Sequence, residues 1–118
     1  MPIENAIASM AVKDLLASAK WYEQLFGRAA DSKPMPEVQE WKFGRGGWLQ
    51  VYQLPERAGT GSCTLAVSDF DAEVGKLDAM GVDTTQRSAG SQTRIVMIVD
   101  PDGNHIALAQ TLDPTMAR

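Results

Sequence analysis

Two stretches of this chain repeat one form. MAVKDLLASAKWYEQLFG (10–27) and LAVSDFDAEVGKLDAMG (65–81) each run from a strand end through an Asp and a helix-length segment to a Gly. Farther along, GGWLQVYQL (46–54) aligns without a gap on GNHIALAQT (103–111). Such a duplication constrains the fold strongly, because both copies must build the same elements in the same order. PERAGTG (55–61) separates the copies, and its Pro and Gly suit a linker. The reading is one domain, 1–118, made of a unit at 1–54 and a second at 61–112.

Periodicity places the elements within each copy. Asp14 is positioned to cap a helix whose stripe is Leu15, Ala19, Tyr22 and Phe26, with Gly27 as its stop. In the second copy Asp69 caps, Phe70, Val74, Leu77 and Met80 form the stripe, and Gly81 stops it. Alternating strands precede the helices at 5–12 and 61–67. After each helix come a short strand and a hairpin, 37–43 with 47–53 and 92–99 with 104–111. Each unit is therefore β-α-β-β-β, and the fold class is α+β, with the two tandem units forming a curved mixed sheet around a cleft.

The strand period of two sorts residues onto faces. Met10, Val12, Leu49, Val51, Leu65, Val67, Ile106 and Leu108 make one bulky apolar face, suited to packing under helices. Opposite lie Ile7, Ser9 and Ala11; Trp48, Gln50 and Tyr52; Ser62, Thr64 and Ala66; His105, Ala107 and Ala109. That mixture of small, hydroxyl, amide and aromatic side chains suits the wall of a ligand pocket. A Pro-Asp-Gly loop turning at Gly103 sets Val99, Met97 and Ile95 beside His105, Ala107 and Ala109. The same count across FGRGGW sets Lys42, Glu40 and Val38 beside Trp48, Gln50 and Tyr52, with Trp41 on the helix side. A one-residue slip would exchange these faces.

Composition narrows the function classes. With 118 residues, 44% hydrophobic and 22% charged, the chain reads as one globular domain. A net charge of −4 and the lack of any basic run argue against a nucleic-acid partner. The single cysteine, Cys63, permits no internal disulfide and suits a reducing cytoplasm. Cys63 itself reads as a buried, inert thiol. No apolar run approaches the ~20 residues of a membrane span, and MPIENAIASM lacks a basic leader. Ser-His-Asp spacing, phosphate-cradling glycine loops and zinc motifs are likewise missing from the sequence.

V-x-D entering a helix that carries WY and ends in Gly, followed by DPDGNHIAL at the last hairpin, resembles the vicinal oxygen chelate superfamily. This is the group of glyoxalases, bleomycin-resistance proteins and ring-cleaving dioxygenases. The resemblance spans nearly the whole chain and implies a homodimer with a small-molecule cleft. In metal-dependent members, His, Glu or Gln on the first and last strands of each unit hold a divalent metal. Carried over one by one, those positions are Ile7, Gln50, Ser62 and Ala107 here. Only Gln50 offers a plausible donor, so no metal or other cofactor is expected.

The leading reading is a metal-independent small-molecule binding protein rather than an enzyme, taking an aromatic or amphipathic ligand. Ser9, Glu40, Trp48, Gln50, Tyr52, Thr64, Met97 and His105 are its candidate cleft residues. Trp48 and Tyr52 are suited to stacking, and Glu40 with Gln50 to a cationic or hydrogen-bonding group. Against each stands a plainer role: exposed strand pairs for Glu40 and Gln50, an edge histidine for His105, interface packing for the rings. The rival reading is an enzyme of the same superfamily, with acid–base chemistry on His105 and Glu40 or a metal site rearranged around Glu40, Gln50 and His105. A third is a non-catalytic interaction dimer whose cleft is filled by its own side chains.

Overall fold

The computed structural model describes residues 2–116 and 118. Eight strands and two α-helices run in the order β1 (Ile7–Val12), α1 (Leu15–Phe26), β2 (Ser32–Met35), β3 (Val38–Lys42), β4 (Trp48–Gln53), β5 (Ser62–Ala66), α2 (Phe70–Ala79), β6 (Arg87–Ala89), β7 (Thr93–Val99) and β8 (His105–Thr111). A single turn of 3-10 helix, Pro55–Arg57, follows β4. Each β-α-β-β-β copy thus forms as the repeat predicts. Among the described residues, no helix is long and apolar enough to cross a membrane.

Hydrogen bonding builds two four-stranded mixed sheets, ordered β1-β4-β3-β2 and β5-β8-β7-β6. In each, the strand before the helix pairs in parallel with the last strand of the same unit, and the hairpin pairs are antiparallel. The chain divides into two compact units. One runs to Gly61 and includes Pro101–Asn104; the other comprises Ser62–Asp100 and the chain from His105 onward. The turn at 101–104 therefore belongs to the first unit, although its flanking strands belong to the second.

In the first unit Met10, Val12, Tyr22, Trp41, Leu49 and Val51 are fully buried. Tyr22 and Phe26 of α1 meet the Trp41 ring at centroid distances of 6.1 and 5.4 Å. Buried residues of α1 are Leu15, Ser18, Ala19, Tyr22 and Leu25, so Leu25 takes the buried place that the sequence reading assigned to Phe26. In the second unit Phe70, Val74 and Leu77 of α2 cover Val96, Ile98, Ile106 and Leu108, which are themselves buried.

Both helices start alike. Asp14 accepts from the Leu16 and Ala17 amides, and Asp69 accepts from the Ala72 amide. The first amide of each helix is met by a glutamine near the end of the last strand of the unit. Gln53 Oε1 accepts from Leu15 N at 3.0 Å, and Gln110 Oε1 accepts from Phe70 N at 2.8 Å. These two glutamines occupy the same column of the repeat, and each satisfies a first-turn amide that helix geometry leaves without a partner.

GTG (59–61), read above as part of a linker, is instead a contact surface. At φ +85° Gly59 is left-handed, and a Cβ there would lie 2.3 Å from the Asp102 carbonyl oxygen. The Gly61 amide donates to Asn104 Oδ1 at 2.8 Å, while Asn104 Nδ2 donates to the Ala11 carbonyl at 2.8 Å. Asp102 accepts from Lys13 N and Ser18 Oγ. Asp102 and Asn104 thus tie the tip of DPDGN to β1, α1 and the 59–61 segment.

Cys63 lies on the bulky face of β5, half-buried. Burial, and then the charge of Asp100, push its thiol up to about 11.

Two outcomes follow from this packing. Asn104→Ala strands a buried amide and a buried carbonyl and should lower unfolding stability by about 2–4 kcal/mol, with an unchanged denaturant slope, in urea melts. At pH 9 a thiol at about 11 is roughly 1% thiolate, so alkylation of native Cys63 by iodoacetamide should run about fiftyfold slower than in the unfolded chain. Equal rates would contradict the burial.

Candidate functional site

Strand alternation gives the face of each sheet away from its helix its own set of side chains, among which Ala11, Val38 and Ala107 are buried. On the first sheet three cross-strand rows form. Ile7, Trp48 and Lys42 make the first; Ser9, Gln50 and Glu40 the second; Ala11, Tyr52 and Val38 the third. The counts that set Glu40 and Lys42 opposite Gln50 and Trp48 hold. The intervening turn closes through Phe43 N to Gly47 O, with Gly46 at φ +98°.

The middle row is a hydrogen-bonded chain. Gln50 Nε2 donates to Glu40 Oε2 at 2.9 Å, and Ser9 Oγ donates to Gln50 Oε1 at 3.4 Å. An ionised carboxylate can only accept, so Glu40 dictates which end of the Gln50 amide faces it. The Gln50 carbonyl is consequently turned toward Ser9. Ser32 on β2 stands opposite Glu40 and extends the row to the sheet edge. Glu40 and Gln50 are half-buried, and Ser9 is exposed.

Trp48 is half-buried, and Lys42 holds its ammonium over the indole at 5.7 Å from the ring centroid. Lys42 was placed on this face by the hairpin count but not among the site residues. Only its position over the ring distinguishes it from an ordinary solvated lysine. Tyr52 is half-buried one row away, across from Ala11 and Val38.

The second sheet carries the remaining candidates on its own open face. Thr64, Ala107 and Met97 share a row; Ser62, His105 and Val99 form the next. Ala66, Ala109 and Ile95 complete the face. Thr64 and His105 are exposed, and Met97 and Val99 are 38% and 49% exposed. This face is more apolar than the first, and no side-chain hydrogen bond among the described residues holds the His105 imidazole. The structure thus joins Ser9, Glu40 and Gln50 directly and sets Trp48 in the neighbouring row. Thr64, Met97 and His105 stand in the other unit.

The donor chemistry at the superfamily's metal positions can be read within each sheet. On the first, Ile7 has no donor atom, and Gln50 is engaged by Ser9 and Glu40. On the second, Ser62 offers a neutral hydroxyl and Ala107 offers nothing. A divalent ion needs several anionic or imidazole donors to offset its hydration. These residues do not fit one. Among the described residues, no group of three or more His, Cys, Asp and Glu side chains is arranged to hold a metal ion.

A shallow depression elsewhere on the first unit is lined by Lys33, Pro34, Met35, Pro36, Val38 and Gln39. It includes none of the predicted site residues. The buried Gln39 Oε1 beside it has no hydrogen-bond partner.

Comparison with known proteins agrees with this architecture. The glyoxalase-like domain model matches residues 7–109. No curated protein matches the chain. A glyoxalase/bleomycin resistance protein from Catenulispora acidiphila is 31% identical, with a TM-score of 0.81 over 91% of this chain and 97% of that one. TnmS3, an antibiotic binding protein from Streptomyces sp. CB03234, is 23% identical with a TM-score of 0.76, covering 93% of this chain and 97% of its own. Lactoylglutathione lyase from Agrobacterium tumefaciens is 18% identical with a TM-score of 0.75, covering 93% and 95%. At those last two identities the likeness concerns the fold alone. A family match over nearly the whole duplicated β-α-β-β-β frame leads to one conclusion: the chain belongs to the glyoxalase-like domain family, within the vicinal oxygen chelate superfamily.

Proposed function

We propose that this protein binds a small aromatic or amphipathic molecule without a metal, and that the open face of its first sheet makes the principal contacts. The observation that carries this reading is the Ser9–Gln50–Glu40 row. It stands where metal-dependent relatives place a ligand, yet its one donor amide is occupied on both sides by neighbouring side chains. Trp48 and Tyr52 flank that row and supply planar, half-buried surface. An aromatic ring against a fixed polar row is a common recipe for orienting a small ligand.

Sequestration alone is a sufficient activity for such a protein. TnmS3, similar in fold, is an antibiotic binding protein, which is in keeping with it. Thr64, Met97 and His105, on the second sheet, are proposed as ligand contacts within their own unit. The protein is taken to work in the cytoplasm, as its single cysteine suggests, and as a homodimer, as the family resemblance implies.

Thermal-shift measurements on chelator-treated protein test the reading. Binding to the native state raises the melting temperature in step with RT ln(1 + [L]/Kd). Planar aromatic compounds should raise it, while Mn²⁺, Ni²⁺, Zn²⁺ and Fe²⁺ should not. Trp48→Ala should abolish the shift, and light scattering should give the mass of two chains. Strong stabilisation by a metal, lost in Glu40→Ala or His105→Ala, would favour an enzyme with a rearranged metal site instead. A one-chain mass would remove the dimer from the account.

A further inference from the structure

The first sheet also carries information about the charge of its ligand, an inference that rests on the binding reading above. Glu40 is a half-buried carboxylate whose hydrogen-bond partner is a neutral amide, Gln50. The ion pairs formed among the described residues are Arg28–Asp31, Lys76–Glu73 and Arg94–Asp71, and none involves Glu40. Its charge is therefore left without a counter-ion on a partly desolvated surface, where a counter-ion has the most effect.

Lys42 is the obvious candidate to neutralise it, being two residues along the same strand on the same face. Instead its ammonium stands over the Trp48 ring. The indole face therefore already accepts a cation, and the carboxylate two positions away remains open to another. Trp48 and Glu40 are diagonal neighbours across the β3–β4 pair, Trp48 opposite Lys42 and Gln50 opposite Glu40. Diagonal neighbours in an antiparallel pair lie about 7–8 Å apart. That span suits one molecule bearing an aromatic ring and a nitrogen at the end of a two-carbon arm.

We propose that the ligand carries a protonated amine or amidinium on a short arm from a planar ring, with Glu40 as its counter-charge. Trp48 takes the ring or the adjoining charge. Lys42 acts as a built-in competitor: it occupies the Trp48 face when the site is empty and repels the incoming cation. An anionic ligand would meet the Glu40 carboxylate, which lacks an ion-pair partner, so the site selects against acids. Net charge of −4 reinforces the same preference at long range.

Calorimetric titration with two probes of one shape tests this directly: 2-(1-naphthyl)ethylamine, cationic at pH 7, and 2-(1-naphthyl)ethanol, its neutral counterpart. Wild-type protein should bind the amine about tenfold more tightly than the alcohol at low salt, an advantage that shrinks in 0.5 M NaCl. Glu40→Gln, which keeps the acceptor for Gln50 Nε2, should bring the two probes within about twofold of each other. Lys42→Met should widen the ratio several-fold. Equal affinity for the probes in wild-type protein would overturn the cationic assignment while leaving aromatic binding intact. Failure of both probes, together with failure of the wider aromatic panel, would overturn the binding reading itself. The wild-type comparison stands even if a variant does not fold.

Discussion

Everything on the face of the first sheet away from α1 depends on what is buried on the opposite face. Met10, Val12, Trp41, Leu49 and Val51 are fully buried under α1, and removing such side chains from water is worth about 1.5–3 kcal/mol each. Strands alternate with a period of two, so a slip of one residue would drive Ser9, Glu40 and Gln50 into that core and turn Trp41 out. The register of β1, β3 and β4 is thereby fixed by packing. Polar side chains on the other face inherit their positions without contributing to that choice.

The two sheets spend the same register differently. In the first unit the row with Ser9, Gln50 and Glu40 is polar and internally bonded; in the second the equivalent row is Thr64, Ala107 and Met97. A duplicated frame has therefore diverged where its open faces are concerned, while the helix-facing columns stay apolar in both copies. The shared glutamines tell the same story in reverse. Gln53 and Gln110 keep one job, satisfying the first amide of the helix in their own unit, because both copies need that helix to start at the same place.

Much of this was legible in the chain itself. Duplication fixed the element order, and the three-residue count around Gly103 and across FGRGGW placed Glu40, Lys42 and Met97 on their faces. Four features were hidden for physical reasons. The pairing of Gln53 with Leu15 N joins groups 38 residues apart, which no local pattern announces, although its recurrence at Gln110 was a visible hint. GTG looks like a linker because close approach and flexibility call for the same residue; a side chain at Gly59 would strike the Asp102 carbonyl, and one at Gly61 would crowd the Met10 sulfur and Asn104 Oδ1. Ser32 opposite Glu40 depends on an irregularity between Ser32 and Met35 that a strict alternation misses. Lys42 had a choice between Glu40 and Trp48, and sequence spacing does not decide between a carboxylate and a ring on one face.

On the function proposed above, Gln50 and Glu40 form a ligand anchor in their own right, with Gln50 at a position that the superfamily resemblance assigns to a metal ligand. Side-chain resonances report on this most directly. In ¹⁵N-labelled protein kept in EDTA, the Gln50 amide and the Trp48 indole N–H should both shift when an aromatic compound that raises the melting temperature is added. Mn²⁺ added alone, after the chelator is removed, should leave the Gln50 amide sharp. Broadening of that amide by Mn²⁺, with no response of either group to the compound, would contradict the account.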